Sequence, residues 1–102
     1  MPSVHTRVSG DGKQVTIQIN GRFDFSVHQE FRDAYINRDP HDTSFVLDLS
    51  RTEYMDSSAL GMVLLLKEFA GNDSRKVEIR NARPEVEKIL RIANFDKLVE
   101  MA

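Results

Sequence analysis

The apolar residues of this chain change their spacing repeatedly along its length, and that alternation confines it to a small set of folds. Val4, Thr6 and Val8 alternate with His5 and Arg7, and Val15, Ile17 and Ile19 alternate with Thr16, Gln18 and Asn20. This is the period of two that a strand covered on one face requires. Ser9-Gly10-Asp11-Gly12-Lys13 lies between the two runs; these residues tolerate positive φ, so an antiparallel hairpin is expected. The spacing then turns helical, with Val27, Phe31 and Ala34/Tyr35 one turn apart, Ser26 and Gln29 at the spacing of a capping box, and Pro40 closing the segment. A helix over about 26–37 is predicted. Ser44 to Ser50 returns to strand character, with Phe45, Leu47 and Leu49 on one face and Val46 and Asp48 on the other, and reads as a more central strand.

From Ser57 to about Ala70, the residues Leu60, Val63, Leu64, Leu66 and Lys67 recur at helical spacing, and Gly71-Asn72 supplies a stop. Met62 and Leu65 add apolar surface outside that stripe. Such an excess means deep burial or a contact surface for another protein, and burial is the expectation. Lys76 to Arg80 alternates again, and Pro84 opens a helix carrying Val86, Ile89, Leu90 and Ala93, which Asn94 can end in the left-handed conformation. Phe95 to Met101 is apolar enough for a last short helix that docks.

The order β, β, α, β, α, β, α predicts an α/β fold: a single mixed sheet with an opening antiparallel hairpin, then two right-handed crossovers that place the helices mainly on one face. Its core is expected to gather Ile17, Ile19, Phe31, Leu47, Leu49, Leu60, Leu64, Val77, Ile79, Val86 and Leu90. The 102 residues suit one domain spanning 1–102. Fourteen basic against sixteen acidic residues leave a net charge of -2 with the signs interspersed, which gives a nucleic-acid partner little support. The densest apolar stretch, Leu60 to Leu66, is broken by Gly61 and falls far short of the roughly 20 residues of a membrane span. No apolar segment of signal-peptide type comes after Met1-Pro2-Ser3, and there is no cysteine for disulfides or thiolate chemistry. A cytoplasmic protein with no membrane partner is expected.

Catalytic constellations are missing from the sequence. His5, His28 and His41 fall in different elements and read as surface histidines, and Asp48 and Glu53 read as solvated charges in preference to an acid–base pair. A hydrolase using Ser57 as nucleophile would lack a nearby base and an oxyanion motif. No cofactor, metal or enzymatic activity is expected. Asp56-Ser57-Ser58 is the exception, because it puts small polar residues where a strand hands over to a helix, the region in which α/β folds build their sites. Either Asp56 or Ser57 simply caps the helix, worth about 1 kcal/mol, or the serine hydroxyl is an exposed modification site. A phosphate there would meet the positive end of the helix and, against it, the charge of Asp56 and of Asp24.

Phe45-Val46-Leu47-Asp48-Leu49 followed by Tyr54-Met55-Asp56-Ser57-Ser58-Ala59-Leu60-Gly61, together with the upstream Gly21-Arg22-Phe23-Asp24, resembles the signature of the bacterial STAS-domain anti-sigma factor antagonists. The resemblance extends over essentially the whole chain. It implies a STAS fold and a partner switch: the first serine after the aspartate, Ser57, is phosphorylated by a serine kinase, often the anti-sigma factor itself. A PP2C-type phosphatase, in some systems linked to a response regulator, removes the phosphate. The unphosphorylated form then binds its partner and the phosphorylated form releases it, with Asp24, Asp56, Ser58, Ala59, Leu60, Gly61 and Met62 supporting the acceptor or meeting the partner. Ala59 departs from the glycine of many members. The family's outputs include sigma-factor control of transcription, motility, secretion and biofilm formation. Its alternative is a STAS subunit that clamps a transporter ATPase without phosphorylation.

Overall fold

A computed structural model of the chain describes residues 2–102. The hairpin forms from β1 (Ser3–Val8) and β2 (Gln14–Phe23), antiparallel with Val4 opposite Ile19 and Val8 opposite Val15. Ser9 and Asp11 hold the turn, since the Ser9 hydroxyl takes the Gln14 N–H at 3.0 Å and Asp11 Oδ1 takes the Lys13 N–H at 3.0 Å. Three parallel pairings complete the main path: β3 (Ser44–Asp48) on β2, β5 (Val77–Arg80) on β3, and the two-residue β6 (Glu100–Met101) on β5. The path β1-β2-β3-β5-β6 puts β3 at the centre, and Phe45, Val46 and Leu47 are accordingly all buried. On β2, Val15, Ile17 and Ile19 are wholly buried while Thr16 and Gln18 are half-exposed. Val15, Ile17 and Ile19 join Phe45, Leu47 and side chains of the helices in one hydrophobic cluster.

The sixth strand, β4 (Thr52–Met55), was not expected from the sequence. It pairs parallel with the far end of β2, which leaves β3 after Gln18 and takes up β4 from Gly21. Gly21 at φ +82 and a register shift between Gly21 and Arg22 accomplish the change; a side chain is strained at that φ. The wholly buried Thr52 donates its hydroxyl to the Ile19 carbonyl at 2.8 Å, and the Gly21 N–H reaches the Arg51 carbonyl at 2.9 Å. The backbone groups freed by the irregularity are thus satisfied. The strand that feeds the Asp56 segment is therefore β4, not Ser44 to Ser50.

The first helix is shorter than expected. A 3-10 turn at Phe25–Val27 precedes α1 (His28–Asp33), and the capping box does not form. Asp24 caps the turn instead, and the Gln29 amide donates to Asp33 Oδ1 at 3.0 Å. An aspartate two residues ahead outcompetes the serine because its fixed charge accepts both the N–H and the hydroxyl of Ser26.

The second helix, α2 (Ser57–Phe69), ends as expected. Gly71 adopts φ +89, its N–H reaches the Glu68 carbonyl, and the Asn72 N–H reaches that of Lys67, both at 3.0 Å, closing a Schellman motif. The third, α3 (Pro84–Ile92), ends at Asn94 with φ +62, also as expected. The expected terminal helix is only a 3-10 turn, Phe95–Lys97; the next residues become β6 because the exposed edge of β5 offers them ladder partners.

Two core assignments also change. Leu60 is half-buried and Leu64 is 39% exposed, while Ala59, Met62, Val63, Leu66 and Ala70 face inward. The helix is rotated so that its excess apolar surface, Leu64 with Leu65, is left outside. Among the described residues, no helix is long and apolar enough to cross a membrane.

Candidate functional site

The register of β2 with β4 builds the site. Phe23 lies opposite Met55 at the carboxyl ends of both strands, so the next residues of each chain segment, Asp24 and Asp56, emerge side by side. The Asp56 N–H reaches back to the Phe23 carbonyl at 3.4 Å. Both aspartates are extended, at φ -139 and -110, and both act as caps. Asp24 Oδ1 accepts the Ser26 N–H at 3.0 Å as well as the Ser26 hydroxyl. Asp56 Oδ1 accepts the Ala59 N–H at 3.0 Å and the Ser58 hydroxyl at 2.6 Å.

These bonds set the charge of the site. The Ser58 hydroxyl and then the Ala59 N–H hold the Asp56 carboxyl below its ordinary value of 3.8, against burial and the repulsion of Asp24. The Ser26 hydroxyl and N–H lower Asp24 in the same way, with help from Arg22, whose Nε lies 3.6 Å from Asp24 Oδ2. Two carboxylates therefore stand ionised beside one helix N-terminus at neutral pH.

Ser57 is the first residue of α2 and is exposed. Among the described residues its hydroxyl has no hydrogen-bond partner, whereas the half-buried Ser58 is tied to Asp56. From Ser57 the exposed face of α2 continues through Gly61, Leu64, Leu65 and Glu68, a stripe at positions i, i+4, i+7, i+8 and i+11. Ala59 is wholly buried and Met62 nearly so; they shape the site from beneath, and Leu60 lies half-buried between the two faces. Met62 floors a small cleft of about 90 Å³ between the first helical turn and α2, walled by Phe25, His28, Phe31 and Leu65. Phe25 is 61% exposed and Leu65 58%, and Phe25 stacks on the His28 ring at 4.0 Å between centroids.

The remaining histidines do not join this site: His5 lies on β1 and His41 in the loop before β3. Among the described residues, no group of three or more His, Asp or Glu is gathered to hold a metal ion. The exposure of Phe25 and of Leu64 and Leu65 was not read from the sequence. A phenylalanine next to a capping aspartate carries no periodic signal of exposure, and the leucines read as core.

A family model described as Mlab, STAS domain, matches residues 6–100, and a STAS-domain-containing protein of Pseudomonas aeruginosa (strain UCBPP-PA14) is 49% identical over 94 residues, 92% of this chain and 93% of that one. The chain belongs to the STAS-domain family. Solved structures share its fold at low identity. A candidate anti-sigma factor antagonist from Thermotoga maritima superposes with a TM-score of 0.80 at 18% identity, over 96% of this chain and 84% of that one. The anti-sigma factor antagonist SpoIIAA in its unphosphorylated form gives 0.71 at 17% identity, over 98% and 87%. Its phosphorylated form, from Bacillus, gives 0.67 at 16%, over 98% and 91%. The single six-stranded mixed sheet with three helices is thus the STAS fold.

Proposed function

We propose that this STAS domain is a phosphorylation-gated partner switch of the anti-sigma factor antagonist type, with Ser57 as the acceptor and no catalytic activity of its own. The observation that carries the reading is the division of labour in Asp56-Ser57-Ser58. Asp56 already fills the cap and holds Ser58, which leaves Ser57 exposed and without a structural task. A phosphate on Ser57 would add about -1.5 to -2 charges beside two carboxylates that are already ionised. The end of α2 would turn strongly anionic without any need to unfold.

Gly61 supports the same reading. A glycine inside a helix costs about 1 kcal/mol relative to alanine, yet a Cβ at Gly61 would meet nothing within 4 Å. Folding of the isolated chain does not call for this glycine, while close approach of a partner's backbone along the exposed stripe does. The unphosphorylated form would lay this stripe against an anti-sigma factor or an equivalent regulator, a serine kinase would release it, and a PP2C-type phosphatase would restore it.

The test is to incubate the purified protein with ATP and its cognate kinase. Label should be lost in Ser57→Ala and retained in Ser58→Ala; undiminished label in Ser57→Ala overturns the assignment. A STAS subunit clamping a transporter ATPase would use the same exposed Leu64 and Leu65. It predicts a stable complex with that ATPase in the absence of any labelling.

A further inference from the structure

Where β2 leaves β3 and takes up β4, the change of partner opens a concave cleft of about 480 Å³ at the opposite end of β4 from Ser57. Arg22 from β2, Arg51 just before β4 and Arg83 at the start of α3 line it, with Glu53 as the one carboxylate among the described lining residues. The lining therefore carries a formal charge of +2 in a chain whose net charge is -2.

Two of the three arginines, Arg51 and Arg83, are held but not neutralised by an ion pair among the described residues. The Arg51 carbonyl is pinned by the Gly21 N–H, and among the described residues its guanidinium makes no ion pair. Arg83 Nε donates to the Ser50 carbonyl at 3.1 Å, and among the described residues its terminal amino groups have no partner. Arg22 lies over the Tyr54 ring at 4.8 Å and is ion-paired with Asp24 at 3.6 Å, so it borders the cleft with its charge already met. Like charges brought together repel unless an anion joins them.

We propose that this cleft binds a small soluble phosphate ester, with Arg51 and Arg83 holding the phosphate and the remaining volume, far larger than a phosphate group, receiving the ligand's organic part. Guanidinium groups match tetrahedral oxyanions with paired hydrogen bonds. The volume lies in the range of about 300–1,000 Å³ typical of small-molecule sites. Its concavity and the net negative charge of the chain disfavour a membrane surface or a nucleic acid. The assignment is independent of Ser57.

The experiment is an amide-resolved NMR titration of the full chain with ribose 5-phosphate, with inorganic phosphate and with ribose. The expected result is saturable shifts at residues 20–22, 51–53 and 83 with ribose 5-phosphate, weaker ones with inorganic phosphate and none with ribose. Arg51→Ala and Arg83→Gln should each weaken binding by about tenfold or more, while Lys88→Ala, on the exposed face of α3, leaves it unchanged. Folding of each variant is read from the same spectra. Absence of saturation, shifts centred elsewhere, or an equal loss in Lys88→Ala overturns the proposal.

Discussion

Asp24-Phe25-Ser26 and Asp56-Ser57-Ser58 are two versions of one junction. Each comes directly after a strand, each begins with an extended aspartate, and each aspartate accepts the hydroxyl of the serine two residues on together with a backbone N–H. The middle residue is exposed in both. The junctions differ in the identity of that middle residue and in the element it opens: Phe25 begins a 3-10 turn and a six-residue helix, whereas Ser57 begins a helix of 13 residues. The outer residues of each triplet therefore build the cap, and the middle one takes no part in it. At the first junction it offers an apolar ring beside the cleft above Met62, and at the second a free hydroxyl.

The largest expected effect falls on the middle position. Ser57→Asp should weaken binding of the unphosphorylated-state partner by about tenfold or more, because it adds a third carboxylate to an acidic corner. Ser57→Ala should bind normally in the same isothermal titration. Equal affinities for both variants would dissolve the distinction between the junctions.

Next in size is the cap. Asp56→Ala should lower stability in urea unfolding by about 1–2 kcal/mol, and Asp24→Ala should cost less, since it caps a single 3-10 turn. A reversed order would mean that the short junction, not the long helix, anchors this end of the fold. Smaller still, Gly61→Ala should raise stability by about 0.5–1 kcal/mol while weakening the partner complex, a combination that a purely structural glycine cannot give.

The finest effect is electrostatic. Both aspartates sit below their ordinary value of 3.8, and each acts on a shared corner. A carboxylate with a depressed folded-state pKa contributes stability that is complete above its unfolded value and is lost as pH falls through the folded one. Asp56→Asn should therefore flatten the loss of stability below about pH 4. Because Asp24 raises the pKa of Asp56 by repulsion, Asp24→Asn should move the Asp56 carboxyl midpoint further down, as read by carbon NMR. An unchanged midpoint would show that the two groups are not coupled.

Much of this was legible without coordinates. The hairpin, the strands containing Leu47 and Ile79, the stops at Gly71 and Asn94 and the start of α2 at Ser57 all obey local rules: side-chain period, turn chemistry and cap geometry act over a few residues. The strand β4 did not, because its four residues run buried, exposed, exposed, buried and show no period of two. Nor did the two-residue β6, whose existence depends on the edge of β5. The face of α2 was misjudged for a related reason. Leucine is apolar wherever it stands, and only the partner surface decides that Met62 turns inward while Leu64 and Leu65 stay out.

By itself the sequence determined the hairpin, the elements β3, α2, β5 and α3 and the small polar residues that open α2, since each depends on neighbours within one turn of chain. Tertiary structure decided that Asp24 and Asp56, 32 positions apart in sequence, share one corner, and that Arg22, Arg51 and Arg83 share one cleft. Both juxtapositions come from the parallel pairing of β2 with β4. Such pairing is a long-range contact, chosen by the whole sheet and by the freed backbone groups that Gly21 and Thr52 satisfy, and no local pattern encodes it.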